Sequence, residues 1–235
     1  MPFQALSKLL GVELDEVSLT EKMVAALGGG LAIFSLVIFS FWALPKSGAT
    51  AIVASMGASA VLLFAVPHGQ LSQPWPVLTG HFVSAVIGIS CARYVPDIAF
   101  AAALAVGASI AAMHFLKCIH PPGGATALTA VLGGSAIHEL GYSFVVFPVL
   151  SNSVVMVLLA IAINGAFKWR RYPTVFNQLA RKPVFTGPNE ARPLPSHDDV
   201  VAALRSLDSF VDISEEDLLR LTEILSRRAT TSLSS

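Results

Sequence analysis

Between Met23 and Phe167, 145 residues hold only five charged side chains: Lys46, Arg93, Asp97, Lys117 and Glu139. A water-soluble domain is roughly one quarter charged, because its exterior must be wetted; five charges cannot wet a body of this length. Apart from the short interval between Arg93 and Asp97, each uncharged interval is long enough for a bilayer crossing, which takes about 20 apolar residues as a helix. The other 25 charges lie in the two tails, and the formal net charge is zero, so no electrostatic bias points to nucleic acid. The expected partner is the lipid bilayer and the expected fold class is all-α, a polytopic membrane protein.

Prolines punctuate the apolar run. Ser18 and Glu21 stand at capping-box spacing before a first helix that reaches Leu44, where Pro45 stops it. Further helices are expected over Gly48–Val66, ended by Pro67; from about Val77 to Ala92, after Pro74 and Pro76; from Ile98 to about His114; from about Gly123 to His138; and from Phe144 to Phe167. That makes six transmembrane helices. Lys168, Arg170, Arg171, Arg181 and Lys182 follow the last one, which places the C-terminus in the cytoplasm, and an even count places the N-terminus there too. Lys46 and Arg93 then face outward, against the same rule. The expected location is the cell inner membrane.

The flanks differ from the body. Residues 1–20 set Phe3, Leu6, Leu9, Leu10, Val12 and Val17 at roughly helical spacing, as an amphipathic segment or a frayed tail. Glu13, Asp15, Glu16 and Glu21 precede the apolar run where a cleavable signal carries positive charge, so no cleavage is expected. Residues 169–235 form a cytoplasmic linker with Pro183, Pro188, Pro193 and Pro195, then a helical tail near 197–207 and 215–228. Cys91 and Cys118 lack metal-ligand spacing and read as packing residues; no metal and no cofactor is expected. No embedded carboxylate pair and no nucleophile with its base is present, so an enzyme is not expected.

The sequence repeats itself. GATAIVASMGASAV at 48–61 matches GATALTAVLGGSAI at 124–137 at eight of fourteen positions, and PVLTG at 76–80 is followed in the same order by PVLSN at 148–152. Each half, about 21–95 and 96–168, holds three spans. Three is odd, so the second copy enters the membrane from the opposite side, as two inverted three-helix repeats. Many secondary transporters have this architecture, and corresponding Gly/Pro-interrupted segments point to their binding sites.

Here those segments are PKSGATA and PPGGATA. A helix start carries positive partial charge and attracts anions. Ser47, Gly48, Ala49, Pro121, Pro122, Gly123, Gly124 and Ala125 allow close approach, Thr50 and Thr126 add hydroxyl donors, and Lys46, His120 and nearby Lys117 supply fixed or switchable positive charge. No acidic residue lies in either segment, so the site suits a small anion rather than a cation. Small residues also serve helix packing, the reading preferred for Gly57 and Gly133; Lys46 also fits an interfacial anchor, and His120 a helix cap. His81 and His114, inside spans, divide between structural histidines and a proton relay. Asn152 and Asn164 read as interhelical hydrogen-bond donors.

HPPGGATAL, His120 to Leu128, together with PWPVLTGH, Pro74 to His81, resembles the signature of the HPP family of integral membrane proteins across about residues 20–170. The resemblance implies transport of nitrite or a similar inorganic anion, the activity known for members in plants and cyanobacteria. FVDISEEDLLRL, Phe210 to Leu221, resembles the linker to the CBS domains of bacterial members; no such domain follows here, so nucleotide-linked regulation is not carried over. A passive anion channel, or a membrane-anchored sensor or scaffold, are the alternatives. A homo-oligomer fits the extensive lipid-facing surface expected of short Gly/Ala-rich spans.

Overall fold

The computed structural model describes residues 17–43 and 46–176, the side chains of 43–53 excepted. The amphipathic segment over residues 1–16 and the tail helices near 197–207 and 215–228 lie outside the described residues. Every regular element among the described residues is helical.

Helix α1 is Leu19–Ala43, and its first turn is capped by the Ser18 hydroxyl, which accepts from the Glu21 N–H at 3.1 Å. Helix α2 is Lys46–Ala65 and ends before Pro67; a tight turn at Gln70–Ser72 leads to α3, Pro74–Tyr94. The prolines at the start of α3 have no N–H to leave unpaired. Asp97 accepts from the Phe100 N–H at 2.7 Å and starts α4, Ile98–Phe115. Helices α5, Pro121–Leu132, and α6, Ser135–Leu140, precede an irregular turn at Val145–Leu150 and α7, Ser151–Gly165.

Among the described residues, four helical stretches are long and apolar enough to cross a membrane: Leu19–Trp42, Pro74–Tyr94, Ile98–Phe115 and Val145–Gly165. The single helix expected from Gly123 to His138 is two helices. Gly134 adopts φ +74°, a conformation that glycine alone enters freely, and it breaks the helix at Gly133-Gly134-Ser135. The 12 residues of α5 span about 18 Å, short of the roughly 30 Å hydrocarbon core. The last helix is regular only from Ser151, because Pro148 lacks an N–H and Phe147 is extended at φ −122°, ψ 111°.

Contacts fix the helix directions. Along α3, Gly80 meets His120, Ser84 meets Gly123, and Gly88 meets Ala127 and Ala130, so α3 and α5 run parallel. Their approach is close: a Cβ on Gly88 would stand 2.7 Å from both the Ala127 carbonyl oxygen and the Ala130 Cβ. Small residues four apart, Gly80, Ser84 and Gly88, form the contact stripe on α3. Ser59 meets His81 and the Leu62 carbonyl meets Ser72, so α2 turns back on α3 and opposes α5. Asn152 near Ser40 and Ile163 near Gly28 and Phe64 set α7 antiparallel to α1.

The core is built by Leu36 of α1, Met56 and Leu63 of α2, Val77 and Ile89 of α3, Ile137 of α6 and Met156 of α7. The outer faces of α1 and α4 are apolar: Leu27, Leu31, Phe34 and Ile38 on one, Phe100, Leu104 and Ile110 on the other, are exposed. Apolar surface of this extent is satisfied by lipid and not by water.

Candidate functional site

Helix α5 begins inside the bundle. His120, the residue before its first turn, packs on Gly80, six residues and about 9 Å of helix into α3. A Cβ on Gly80 would lie 2.8 Å from the His120 Cβ, so the approach exists only because Gly80 has none.

Around this buried start, α2, α3 and α5 contribute one polar cluster. The Ser59 hydroxyl stands 2.8 Å from His81 Nε2 and 2.9 Å from His120 Nε2. His81 Nδ1 is 2.7 Å from Thr126 Oγ1, and His120 Nδ1 is 2.9 Å from the Leu71 carbonyl oxygen. The two imidazoles meet edge to face, with centroids 4.9 Å apart. Ser59, His81, His120 and Thr126 are all buried. Ser84, one turn beyond His81, points at Gly123, and its buried hydroxyl finds no hydrogen-bond partner among the described residues. A buried hydroxyl left so is uncommon, since unpaired polar groups cost about 1–3 kcal/mol.

His120, Pro122, Gly123 and Thr126 are therefore brought together on the buried side of α5, while Pro121 and Ala125 are exposed and Gly124 is half-buried. The backbone of this turn offers few donors. Pro121 and Pro122 have no N–H, and the Gly123 N–H donates to the His120 carbonyl at 2.8 Å. The side chains of His120 and Thr126, rather than a row of N–H groups, carry the polarity of this helix start. Lys117 is exposed, at φ +53°.

In the first repeat, the side chains of Lys46, Ser47, Gly48, Ala49 and Thr50 lie outside the described residues. The start of α5 docks at Ser59, 13 residues along α2 from Lys46, or about 20 Å of helix. Among the described residues, the polar cluster thus draws on the C-terminal half of α2. Ser59 had no signal in the sequence, being one small residue in an Ala/Gly/Ser-rich helix, with partners 22 and 61 residues away. His114 is exposed on α4, whereas His81 is central.

A second buried polar group closes the C-terminal end of α2. Asn164 Nδ2 donates to the Leu63 carbonyl at 3.0 Å, and Arg170 donates to the Phe64 carbonyl and, through Nε at 3.2 Å and Nη2 at 3.1 Å, to Asn164 Oδ1. The Tyr172 hydroxyl donates to the Ser72 carbonyl at 2.8 Å, and burial pushes its pKa above the usual phenol range. These groups satisfy carbonyls that a helix end leaves unpaired. Asn152 is placed differently: its Oδ1 accepts from Ser40 at 3.3 Å.

A family model described as HPP, transmembrane region, matches residues 14–173. Two curated transmembrane proteins of Dictyostelium discoideum are 42% and 40% identical to the chain over 126 residues each, 52% of this chain. The matched stretch spans 44% and 40% of those relatives, less than half of either. No solved structure matches.

Proposed function

The chain belongs to the HPP transmembrane family, and from that premise we propose that it transports a small monovalent inorganic anion, nitrite foremost, across the cell inner membrane. The observation that carries this reading is the buried start of α5, ringed by Ser59, His81, His120 and Thr126 within apolar helices. The ionic form open to that cluster is cationic, and no acidic side chain takes part in it, so a bound ion of opposite sign is negative. Broken helices whose starts lie at depth are a recurrent device for substrate sites in inverted-repeat carriers.

The architecture proposed is six spans in two inverted repeats, with both termini cytoplasmic and the residues after 168 accessory. Two observations favour it. The matching helices α2 and α5 run in opposite directions, and so do the matching segments that follow them, α3 and α7. Transport by alternating access then consists of one repeat rocking against the other, with the substrate-binding side chains His120 and Thr126 reaching the anion as the α5 start opens; Lys46 and Thr50 act on the opposite repeat. A non-enzymatic, cofactor-free carrier that self-associates through its lipid-facing surface completes the proposal.

The test is uptake by proteoliposomes. Saturable entry of nitrite above empty vesicles, lowered at least tenfold by Thr126→Val, is expected. A purified, folded protein that moves neither nitrite, nitrate nor formate above the empty-vesicle rate overturns the assignment, and flux that never saturates replaces the carrier with a channel.

A further inference from the structure

We propose that Ser59, His81, His120 and Thr126 form a binding site for a single proton, so that anion movement is coupled to protons. The inference rests on the transport reading for its purpose, and on hydrogen-bond directions for its content.

Those directions follow from one fixed end. The Leu71 carbonyl can only accept, so at 2.9 Å His120 carries its hydrogen on Nδ1. In a neutral imidazole, Nε2 then has to accept, and among the described residues the donor at that atom is the Ser59 hydroxyl, 2.9 Å away. With its one hydrogen used, Ser59 receives from His81 Nε2–H at 2.8 Å, which leaves His81 Nδ1 to accept from the Thr126 hydroxyl at 2.7 Å. Four hydrogens fill four short contacts, all pointing the same way, from Thr126 to Leu71.

The same heavy atoms hold one proton more. When His81 Nδ1 gains a proton it becomes a donor to Thr126, and the Thr126 hydroxyl turns to the Pro122 carbonyl, 3.4 Å away. The charge can then shift: the His81 Nε2 proton moves to Ser59 Oγ as the Ser59 proton moves to His120 Nε2. Ser59 ends neutral, His81 ends neutral with its hydrogen on Nδ1, and His120 holds the charge. Neither hop exceeds 2.9 Å, and no proton is gained or lost. Beyond His120 Nδ1 stands a carbonyl, which does not pass a proton on. The chain therefore stores a proton and does not conduct one through the bundle, as a coupled carrier requires. A second proton is excluded, because two imidazolium rings with centroids 4.9 Å apart repel strongly in an apolar surround.

Among the described residues the groups facing the pair are few, and helix α6, packed on α2 and α5, carries the exposed His138 and Glu139. From α2 comes Ser59, with the Ser55 carbonyl 3.3 Å behind it; from α3 Ser84; from α5 Thr126; and from the loop before α5 the Cys118 carbonyl, which abuts Gly80 beside His120. Helix α4, packed on α3 and α5, carries one titratable side chain, the exposed His114. Helix α7, packed on α2 and α3, carries none. The nearest fixed charge along α2 is Arg170, at the Phe64 carbonyl, five residues and about 7.5 Å of helix past Ser59.

The experiment uses the full chain with 15N-labelled histidine in lipid nanodiscs, without added anion, and separately in proteoliposomes. Imidazole nitrogen shifts should show His120 as the Nδ1–H tautomer and His81 as the Nε2–H tautomer at neutral pH. Acidification should produce one imidazolium shared by the two, and Ser59→Ala should split it into two unequal sites. In vesicles, the initial rate of nitrite uptake above empty vesicles should rise as the outside is acidified, and Ser59→Ala should abolish that rise. Should Ser59→Ala fail to fold, the wild-type tautomers decide. The opposite tautomer at His120, or two independent protonations, overturns the proton site even if nitrite is transported. The predicted tautomers with no anion flux would sustain the site and remove the transport reading instead.

Discussion

The imidazoles of His81 and His120 stand edge to face at 67°, with the Ser59 hydroxyl bonded to the Nε2 of both. Removing either ring leaves buried polar atoms without partners as well as a cavity. His81→Ala should lower stability by about 2–5 kcal/mol, as loss of a large buried side chain does. Thr126→Val loses its bond to the same ring, so the double variant should be less destabilised than the sum of the two. Unfolding by denaturant in detergent measures this; additive losses would contradict a shared network.

Glycines that look alike in the sequence should behave oppositely. At Gly88 a Cβ would meet the Ala127 carbonyl at 2.7 Å, a backbone atom that cannot step aside, so Gly88→Ala should push α3 from α5 and cost about 1–3 kcal/mol. At Gly57 a Cβ would meet no atom of another packed element within 4 Å among the described residues, and Gly57→Ala should gain up to about 1 kcal/mol from helix propensity. Thermal midpoints of the two variants should therefore move in opposite directions.

Gly57 and Gly133 also mark where sequence reasoning ran out. As small residues both read as packing positions, yet of the two Gly133 is the crowded one, with the Ile137 Cγ1 at 2.6 Å from its notional Cβ, while Gly80, Gly88 and Gly123 make the tight α3–α5 approach. The helix ends at Pro45, Pro67, Pro74 and Pro121 were legible because proline acts locally, through its missing N–H. The break at Gly134 was not, because a positive φ leaves no trace in an apolar pattern. His120 and Thr126 could be singled out from their motif. Ser59 and the central role of His81 could not, since what makes them special is a meeting of three helices. Arg170, one of the basic residues that follow the last span, is buried against the end of α2, which its place in the sequence does not reveal.

That placement gives Arg170 a testable structural role. Its guanidinium donates at once to the Phe64 carbonyl and to Asn164 Oδ1, two acceptors that its planar fork can span and a lysine ammonium cannot match in geometry. Arg170→Met should cost on the order of 3 kcal/mol by leaving both acceptors buried and unmet. Arg170→Lys should recover only part of that. A Met variant as stable as wild type in detergent unfolding would show that the end of α2 does not depend on this cap.

Tyr172 supplies a pH signature for the same region. Its hydroxyl is buried and donates to the Ser72 carbonyl, and its pKa in the folded state is raised. In the unfolded chain the phenol loses its proton near pH 10. Above that pH the unfolded state sheds a proton that the folded state keeps, so the contribution of Tyr172 is fully present below about pH 10 and is lost as pH rises further, by up to about 1.4 kcal/mol per unit. Tyr172→Phe removes both the bond and the titration. At pH 8 the variant should be about 1 kcal/mol less stable than wild type, and the two should converge as pH climbs past 10, because only the wild type carries this slope. Lysine and arginine titrate alike in both proteins and cancel in the difference. A gap that stays constant from pH 8 to pH 11, measured by denaturant unfolding, would mean that folding leaves the Tyr172 phenol unshifted.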